Sequence, residues 1–326
     1  MSYRKVEGIV PVMLTPFAED GGVDYESLER LVEWYLGRGA DALFAVCQSS
    51  EMLFLSLEER ERIARFVVDK VRGRVPVVAS GHISDDPHSQ LEELTAAAAS
   101  GVDGVVLVTN HLDPKQKGTE TFLGNLKWIM ERLPADMPLG LYECPAPYRR
   151  LLTDEEFRFC ASSGRFVFIQ DVSCALDVIK KRVAIAAEIN PGFAILNANA
   201  AIAYDAIKAG AKGFNGVNAN LCPDLYKWLM TKGRNHPALE TEMADYLALL
   251  GCMEAFGYPV IAKIYHRRIG TFTTIKSRAQ AGDVHERVWG IEAIVDRMAS
   301  GIETMRAKIA REDRSRISLA KIAKFY

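Results

Sequence analysis

A chain of 326 residues with 49% hydrophobic and 25% charged residues has the make-up of an ordinary soluble globular protein, long enough for one large core and an appendage. A formal net charge of −2 offers no electrostatic case for a nucleic-acid or membrane-surface partner. No run of about eighteen apolar residues is present and the opening Met-Ser-Tyr-Arg-Lys lacks a signal-peptide core, so a cytoplasmic location is expected.

From residue 8 to about residue 230, short β-branched or aromatic runs alternate with longer amphipathic stretches. The predicted strands are 8–15, 42–47, 76–80, 104–109, 138–142, 166–170, 193–197 and 213–217. Between them the spacing predicts helices such as 25–37, 56–71, 86–100, 154–163, 174–190 and 201–209. Strict alternation implies parallel strands joined by right-handed crossovers, and eight units are enough to close a TIM (β/α)8 barrel, a fold of about 250 residues. The expected barrel domain is 1–232. Beyond it the pattern is helical only, with helices over 241–256, 260–269 and 284–310, giving a C-terminal helical domain at 233–326. Its basic tail interleaves Ile317, Leu319, Ile322 and Phe325 with lysines and arginines, which predicts a solvated amphipathic helix rather than a nucleic-acid patch.

Six scattered cysteines without a C-x-x-C pair predict reduced thiols, and buried, inert ones are expected even for Cys47 and Cys144 at strand ends. In a TIM barrel the strands' C-terminal ends form the active-site face. Polar groups fall there in every unit: Thr15, Gln48, Ser49, Ser50, Glu51, Ser80, His82, Thr109, Asn110, His111, Tyr142, Glu143, Gln170, Asp171, Asn197, Asn199, Asn215 and Asn218. Any one of them could serve a turn or a helix cap. Together they predict a polar pocket.

Five motifs in order carry a resemblance. Gly8-Ile-Val-Pro-Val-Met-Leu-Thr-Pro-Phe17, Cys47-Gln48-Ser49-Ser50-Glu51 with Leu55-Ser-Leu-Glu-Glu-Arg60, Tyr142-Glu143-Cys144-Pro145, Gly213-Phe-Asn-Gly-Val-Asn-Ala-Asn220 with Pro223, and Pro259-Val-Ile-Ala-Lys263 are similar, along nearly the whole chain, to the dihydrodipicolinate synthase and N-acetylneuraminate lyase family of class I aldolases. The resemblance implies a TIM barrel with a C-terminal helical domain, usually assembled as a dimer or tetramer, with no cofactor. It also implies a small-carboxylate substrate: a lysine ending strand six forms an imine with a 2-keto acid, a tyrosine ending strand five relays protons with help from a hydroxyl in the second strand's loop, and that loop's N–H groups hold the carboxylate.

Carried over residue by residue, Tyr142 matches the tyrosine, Ser49 retains a hydroxyl, Gln48 replaces the other threonine, and Gln170 replaces the lysine. A glutamine nitrogen is conjugated with its carbonyl and forms no imine. Lys180 and Lys181 should face solvent, and Lys263 matches a family lysine outside the active site. His111-Leu112 stands where the synthase branch has paired tyrosines, and that branch's carboxylate-binding arginine falls near Pro147, with Arg149 and Arg150 close by. Authentic dihydrodipicolinate synthase activity is therefore not expected.

The catalytic candidates are Tyr142, Ser49 and His111. The substrate-binding candidates are Gln48, Ser49, Ser50, Gln170, Asn197, Asn215 and His82. Two function classes stay open: a lyase acting on a small 2-keto or hydroxy acid without a Schiff base, and a catalytically degenerate protein that binds a small carboxylate. A divalent metal held by His82, His111, Glu143 and Asp171 is weighed and not expected, because the two acids match structural positions of the family.

Overall fold

The β-branched runs form eight short parallel strands in the computed structural model, which describes residues 3–322. They are β1 Gly8–Ile9, β2 Leu43–Phe44, β3 Val77–Ala79, β4 Gly104–Val108, β5 Leu139–Tyr142, β6 Phe166–Asp171, β7 Ala194–Asn197 and β8 Gly213–Phe214. The ladder runs β1-β8-β7-β6-β5-β4-β3-β2. A parallel bridge from Val12 to Phe44, with Met13 N donating to Phe44 O at 3.0 Å, joins its ends and closes the TIM barrel. All five residues of β4 are buried, as expected of a strand covered on both faces. The first strand is shorter than the 8–15 run because Pro11 has no N–H to give the ladder.

The barrel's helices are α1 Tyr25–Gly37, α2 Leu57–Val71, α3 Pro87–Ala99, α4 Thr119–Met130, α5 Asp154–Ser162, α6 Leu176–Ile189, α7 Ala203–Lys208 and α8 Pro223–Lys232. Their starts are written in the sequence. Ser56 with Glu59 and Thr153 with Glu156 form reciprocal capping boxes, and Asp24 and Asp86 cap α1 and α3. Each helix lays its apolar stripe on the sheet, as α2 does with Ile63, Ala64, Val67 and Val71, and a fully buried aliphatic side chain contributes about 1.5–3 kcal/mol.

The C-terminal helices are α9 Pro237–Leu250, α10 Val260–Arg268, α11 Val284–Arg287 and α12 Ile291–Ile322. Two expectations are corrected. The helix expected at 241–256 gives way at Gly251 to a 3₁₀ turn, Gly251–Phe256, and the run expected at 284–310 breaks at Gly290, whose φ of 75° a continuous helix cannot hold. No single helix among the described residues is long and apolar enough to cross a membrane. Phe325 and the side chains of Ile317, Leu319 and Ile322 lie outside the described residues.

Behind the mouth of the barrel, Arg182 on α6 ties two strand ends together. Its guanidinium donates to both oxygens of Glu143, at 2.5 and 2.9 Å, and to Asp171. Glu143 also accepts from the N–H groups of Leu152 and Val172 at 2.8 and 3.2 Å. Burial drives the Glu143 carboxyl up, while Arg182 opposes that rise. With donors on both oxygens, the ionised form is the one this geometry holds. The clamp fixes the residues just before it, Tyr142 and Gln170, which are register partners on β5 and β6.

Candidate functional site

The strand ends open into a cavity of about 760 Å³ whose walls include Gln48, Ser49, Tyr142, Arg149, Gln170 and Tyr258. The 3₁₀ turn Gln48–Ser50, which follows β2, carries Gln48 to Tyr142, whose hydroxyl donates to Gln48 Oε1 at 3.0 Å. The Cys144 thiol points at the same oxygen from 3.5 Å. Burial, aided by the neighbouring Cys144 and Cys47, pushes the Tyr142 phenol well above its ordinary value, so it is a proton donor rather than a phenolate at neutral pH.

Gln170 is 4% exposed and its Nε2 donates to the Asn215 carbonyl at 2.7 Å. The amide orientation is set by that contact, because a carbonyl oxygen only accepts. Tyr258 faces Ser49, whose hydroxyl opposes the rise that burial imposes on the Tyr258 phenol, and it accepts from Asn220 Nδ2 at 2.8 Å. Arg149 donates to the carbonyls of Val172 and Ser173 at 3.1 and 3.3 Å and is the one cationic side chain on the cavity wall among the described residues.

The chain thus brings Gln48, Ser49, Tyr142 and Gln170 together and turns the other candidates elsewhere. Ser50 donates its hydroxyl to Met13 O and Ala45 O at 2.7 and 2.9 Å, pinning the loop from beneath. Asn197 loops back to Asn199 O at 2.7 Å, and Asn215 reaches across β1 to Val10 O at 2.5 Å. His82 and His111 are neighbours, with ring centroids 5.4 Å apart, but neither lines the cavity. His82 Nδ1 accepts from Val108 N at 3.0 Å, and His111 Nδ1 meets Asp85 at 2.9 Å. Glu143 and Asp171, the acids that would complete a metal site with the histidines, are taken by Arg182.

Tyr258, Glu254 and Gln280 reach the cavity from the C-terminal region. Tyr258 falls between the helices expected at 241–256 and 260–269, directly ahead of the Pro259–Lys263 motif, and neither the spacing nor the motif places it at the cavity.

No lysine lines the cavity among the described residues. Lys180 and Lys181 are 56% and 60% exposed and pair with Asp177 and Asp154. Lys263 is fully buried beneath the wall, donating to Glu51 at 2.5 Å and to Lys276 O at 2.7 Å over the Phe17 ring. Burial brings its ammonium down to about 8, against the pull of Glu51.

Two predictions arise here. Cys174 and Cys252 are exposed on the cavity wall, whereas Cys47, Cys144, Cys160 and Cys222 are buried, and burial raises Cys47 to about 11. A thiol reagent should therefore modify two cysteines in the native protein and four more only after denaturation, as counted by intact mass.

The second concerns buried histidines. Burial brings His82 to about 3 and His266, held at Asn220 O, to about 4. Both folded values lie below the unfolded one, so their stabilising contribution is complete above pH ~6.5 and is lost as pH falls toward the folded values, at about 2 kcal/mol per histidine by pH 5. Urea midpoints at pH 7.5 and 5 should show that loss, and it should shrink in His82→Gln.

Known proteins are similar to this chain in sequence and in fold. The family model described as the dihydrodipicolinate synthetase family matches residues 5–253. A 4-hydroxy-tetrahydrodipicolinate synthase of Saccharophagus degradans is 31% identical over 221 residues, which span 68% of this chain and 73% of that relative. Among solved structures, a prophage protein of the dihydrodipicolinic acid synthase family from E. coli K12, in complex with pyruvate, is similar with a TM-score of 0.81 and 21% identity over 91% of this chain and 98% of its own. A monomeric dihydrodipicolinate synthase variant is equally similar, at a TM-score of 0.81 and 22% identity over 91% and 97% of the two chains. These structural likenesses carry the fold; the sequence match carries the kinship. Because that match runs from ahead of β1 to beyond α9, the chain belongs to the dihydrodipicolinate synthetase family.

Proposed function

We propose that the cavity takes a small 2-keto or 2-hydroxy acid and holds it without forming an imine, and that the protein is a carboxylate-binding member of its family rather than a synthase. The observation that carries this reading is the pair of amides flanking Tyr142: Gln170 beside it on the next strand and Gln48 at 3.0 Å on its hydroxyl. An amide nitrogen does not attack a ketone at neutral pH. An amide oxygen accepts a hydrogen bond but does not pass the proton on, as a threonine hydroxyl would. The nucleophile is absent from the place where the resemblance puts it, and an amide stands in place of one of the two loop hydroxyls beside the relay tyrosine, while Ser49, Arg149 and the phenol remain to bind an acid.

One observation favours a second reading, a lyase that works by proton transfer alone. Tyr142 keeps its hydroxyl at the cavity, protonated at neutral pH, where it could donate to a developing enolate. In either case the partners are a small carboxylate and further copies of this chain, as a dimer or tetramer, with neither nucleic acid nor membrane.

Calorimetric titration with pyruvate and lactate, paired with borohydride treatment and intact-mass analysis, tests the proposal. Saturable binding with no reduced adduct is the expected result. An adduct on any lysine, or no binding by either acid, would overturn it.

A further inference from the structure

The two sides of the cavity differ in chemistry. The arc from β2 and β5 carries Gln48, Ser49, Tyr142 and Arg149, whereas the arc that runs from β6 to α9 presents Val172, Ala198, Ala200, Ala201, Val217 and Ala248. The amides that interrupt this second wall are engaged by the fold through their donors and through Asn199 Oδ1, while Gln170 Oε1 and Asn218 Oδ1 are buried without a partner. Asn199 Oδ1 accepts from the N–H groups of Ala201 and Ile202 at 2.9 and 3.3 Å. Asn218, fully buried, donates to Tyr226 Oη and Leu247 O, both at 3.3 Å.

The wall is also made of small side chains for a structural reason. A Cβ on Gly251 would lie 2.7 Å from that of Ala200, so the C-terminal 3₁₀ turn can back the wall only while both residues stay small. The exposed Leu53 and Phe54 extend the apolar surface at the mouth.

Charge narrows the ligand further. Arg149 supplies one cation for one carboxylate. The other charged groups at the wall are acids: Glu51, which is engaged by Lys263 and by the N–H groups of Arg278 and Ala279, and Glu254. Glu254 stands on the wall with no salt-bridge partner among the described residues, so a second carboxylate on the ligand would meet a like charge there. A volume of about 760 Å³ lies in the range of pockets that enclose ligands much larger than a three-carbon acid.

We infer that the ligand is a 2-keto or 2-hydroxy monocarboxylic acid bearing a branched or aromatic apolar tail, its carboxylate on the Arg149 side and its tail against the alanine and valine wall. This rests on the carboxylate-binding reading above and names the class of acid. A dicarboxylate is excluded by the same wall, because its second carboxylate would lose water beside acids and without a cation to receive it.

The test is a binding series on the native full-length chain: pyruvate, 2-oxobutanoate, 2-oxopentanoate and 4-methyl-2-oxopentanoate, with 2-oxoglutarate as the polar control. Burial of each added carbon should tighten binding about threefold to fourfold, giving about 30- to 60-fold across the three carbons of the series. The control should bind at least about tenfold more weakly than 2-oxopentanoate. Ala201→Asn, a neutral polar change at an exposed position of the wall, should flatten the series and leave pyruvate affinity within about twofold. The near-isosteric Val217→Thr should do the same in smaller measure and serves if the asparagine variant does not fold.

A flat or falling series, or one that neither variant changes, would overturn the tail inference while leaving carboxylate binding in place. Absence of binding by every acid would overturn both.

Discussion

Replacement of Arg182 by methionine is expected to cost about 3–5 kcal/mol of folding stability, the largest loss of any single change considered for this chain. The guanidinium serves two carboxylates, Glu143 and Asp171, each fully buried, and no other cation among the described residues pairs with them. Removing it leaves two like charges in an apolar interior, and both would seek protons. In the variant their folded pKa values should stand above the unfolded ones. The residual stability would then be fullest below pH ~4 and fall as pH rises through the folded values. Urea midpoints of the variant between pH 4.5 and 8 would show this slope. Adding Glu143→Gln and Asp171→Asn to Arg182→Met should recover much of the loss, because removing a whole buried ionic cluster costs far less than removing one of its members. A loss below about 1 kcal/mol for the single variant would mean that the clamp does not position β5 and β6.

Gln170→Lys should convert a protein that borohydride does not trap with pyruvate into one that it does. The introduced amine would sit at a site 4% exposed, beside Tyr142, where desolvation lowers its pKa and enlarges the neutral, nucleophilic fraction. Peptide mapping should place the adduct on residue 170 alone. Trapping by that variant should remain slow, since Gln48 still occupies the Tyr142 hydroxyl and carries no proton onward. A Gln48→Thr, Gln170→Lys double variant restores both functions, and imine formation should quicken by about 10²–10⁴-fold, the usual worth of a positioned acid–base group. Equal rates in the two variants would show that the amide at 48 is no obstacle to proton transfer.

The architecture was legible because it repeats. Eight alternations of a two-residue and a 3.6-residue period leave little choice but a barrel, and caps such as Ser56 and Thr153 mark helix starts by hydrogen bonds that operate within four residues. The site was legible only where position alone decides direction. Tyr142 ends β5 and its register partner Gln170 lies one residue before the end of β6, so pairing carries them to the mouth together. Side chains past a strand end obey no such period. Ser50 has the residue type of a ligand-binding rim but spends its hydroxyl on Met13 and Ala45, a choice that local spacing does not report, while Asn197, the last residue of β7, turns back onto Asn199. His82 fills the space between β3 and β4 for the same reason. The contribution of Tyr258, Glu254 and Gln280 was hidden by distance along the chain, because nothing in a helical period says which loop it will lean upon.

The Lys263–Glu51 contact has an implication for how the protein gains its shape. Glu51 follows directly on the loop that bears Gln48 and Ser49, and Lys263 belongs to α10, more than two hundred residues later. Between them they rivet the last third of the polypeptide onto the lip of the barrel, where Tyr258 and Gln280 complete the cavity. A ribosome-bound nascent chain that has released only the eight strands therefore has a barrel but no finished binding chamber. Any acid that enters the chamber touches both early and late segments, and by mass action it acts as a mortar between them, tightening the seam with the logarithm of its concentration once that exceeds the Kd.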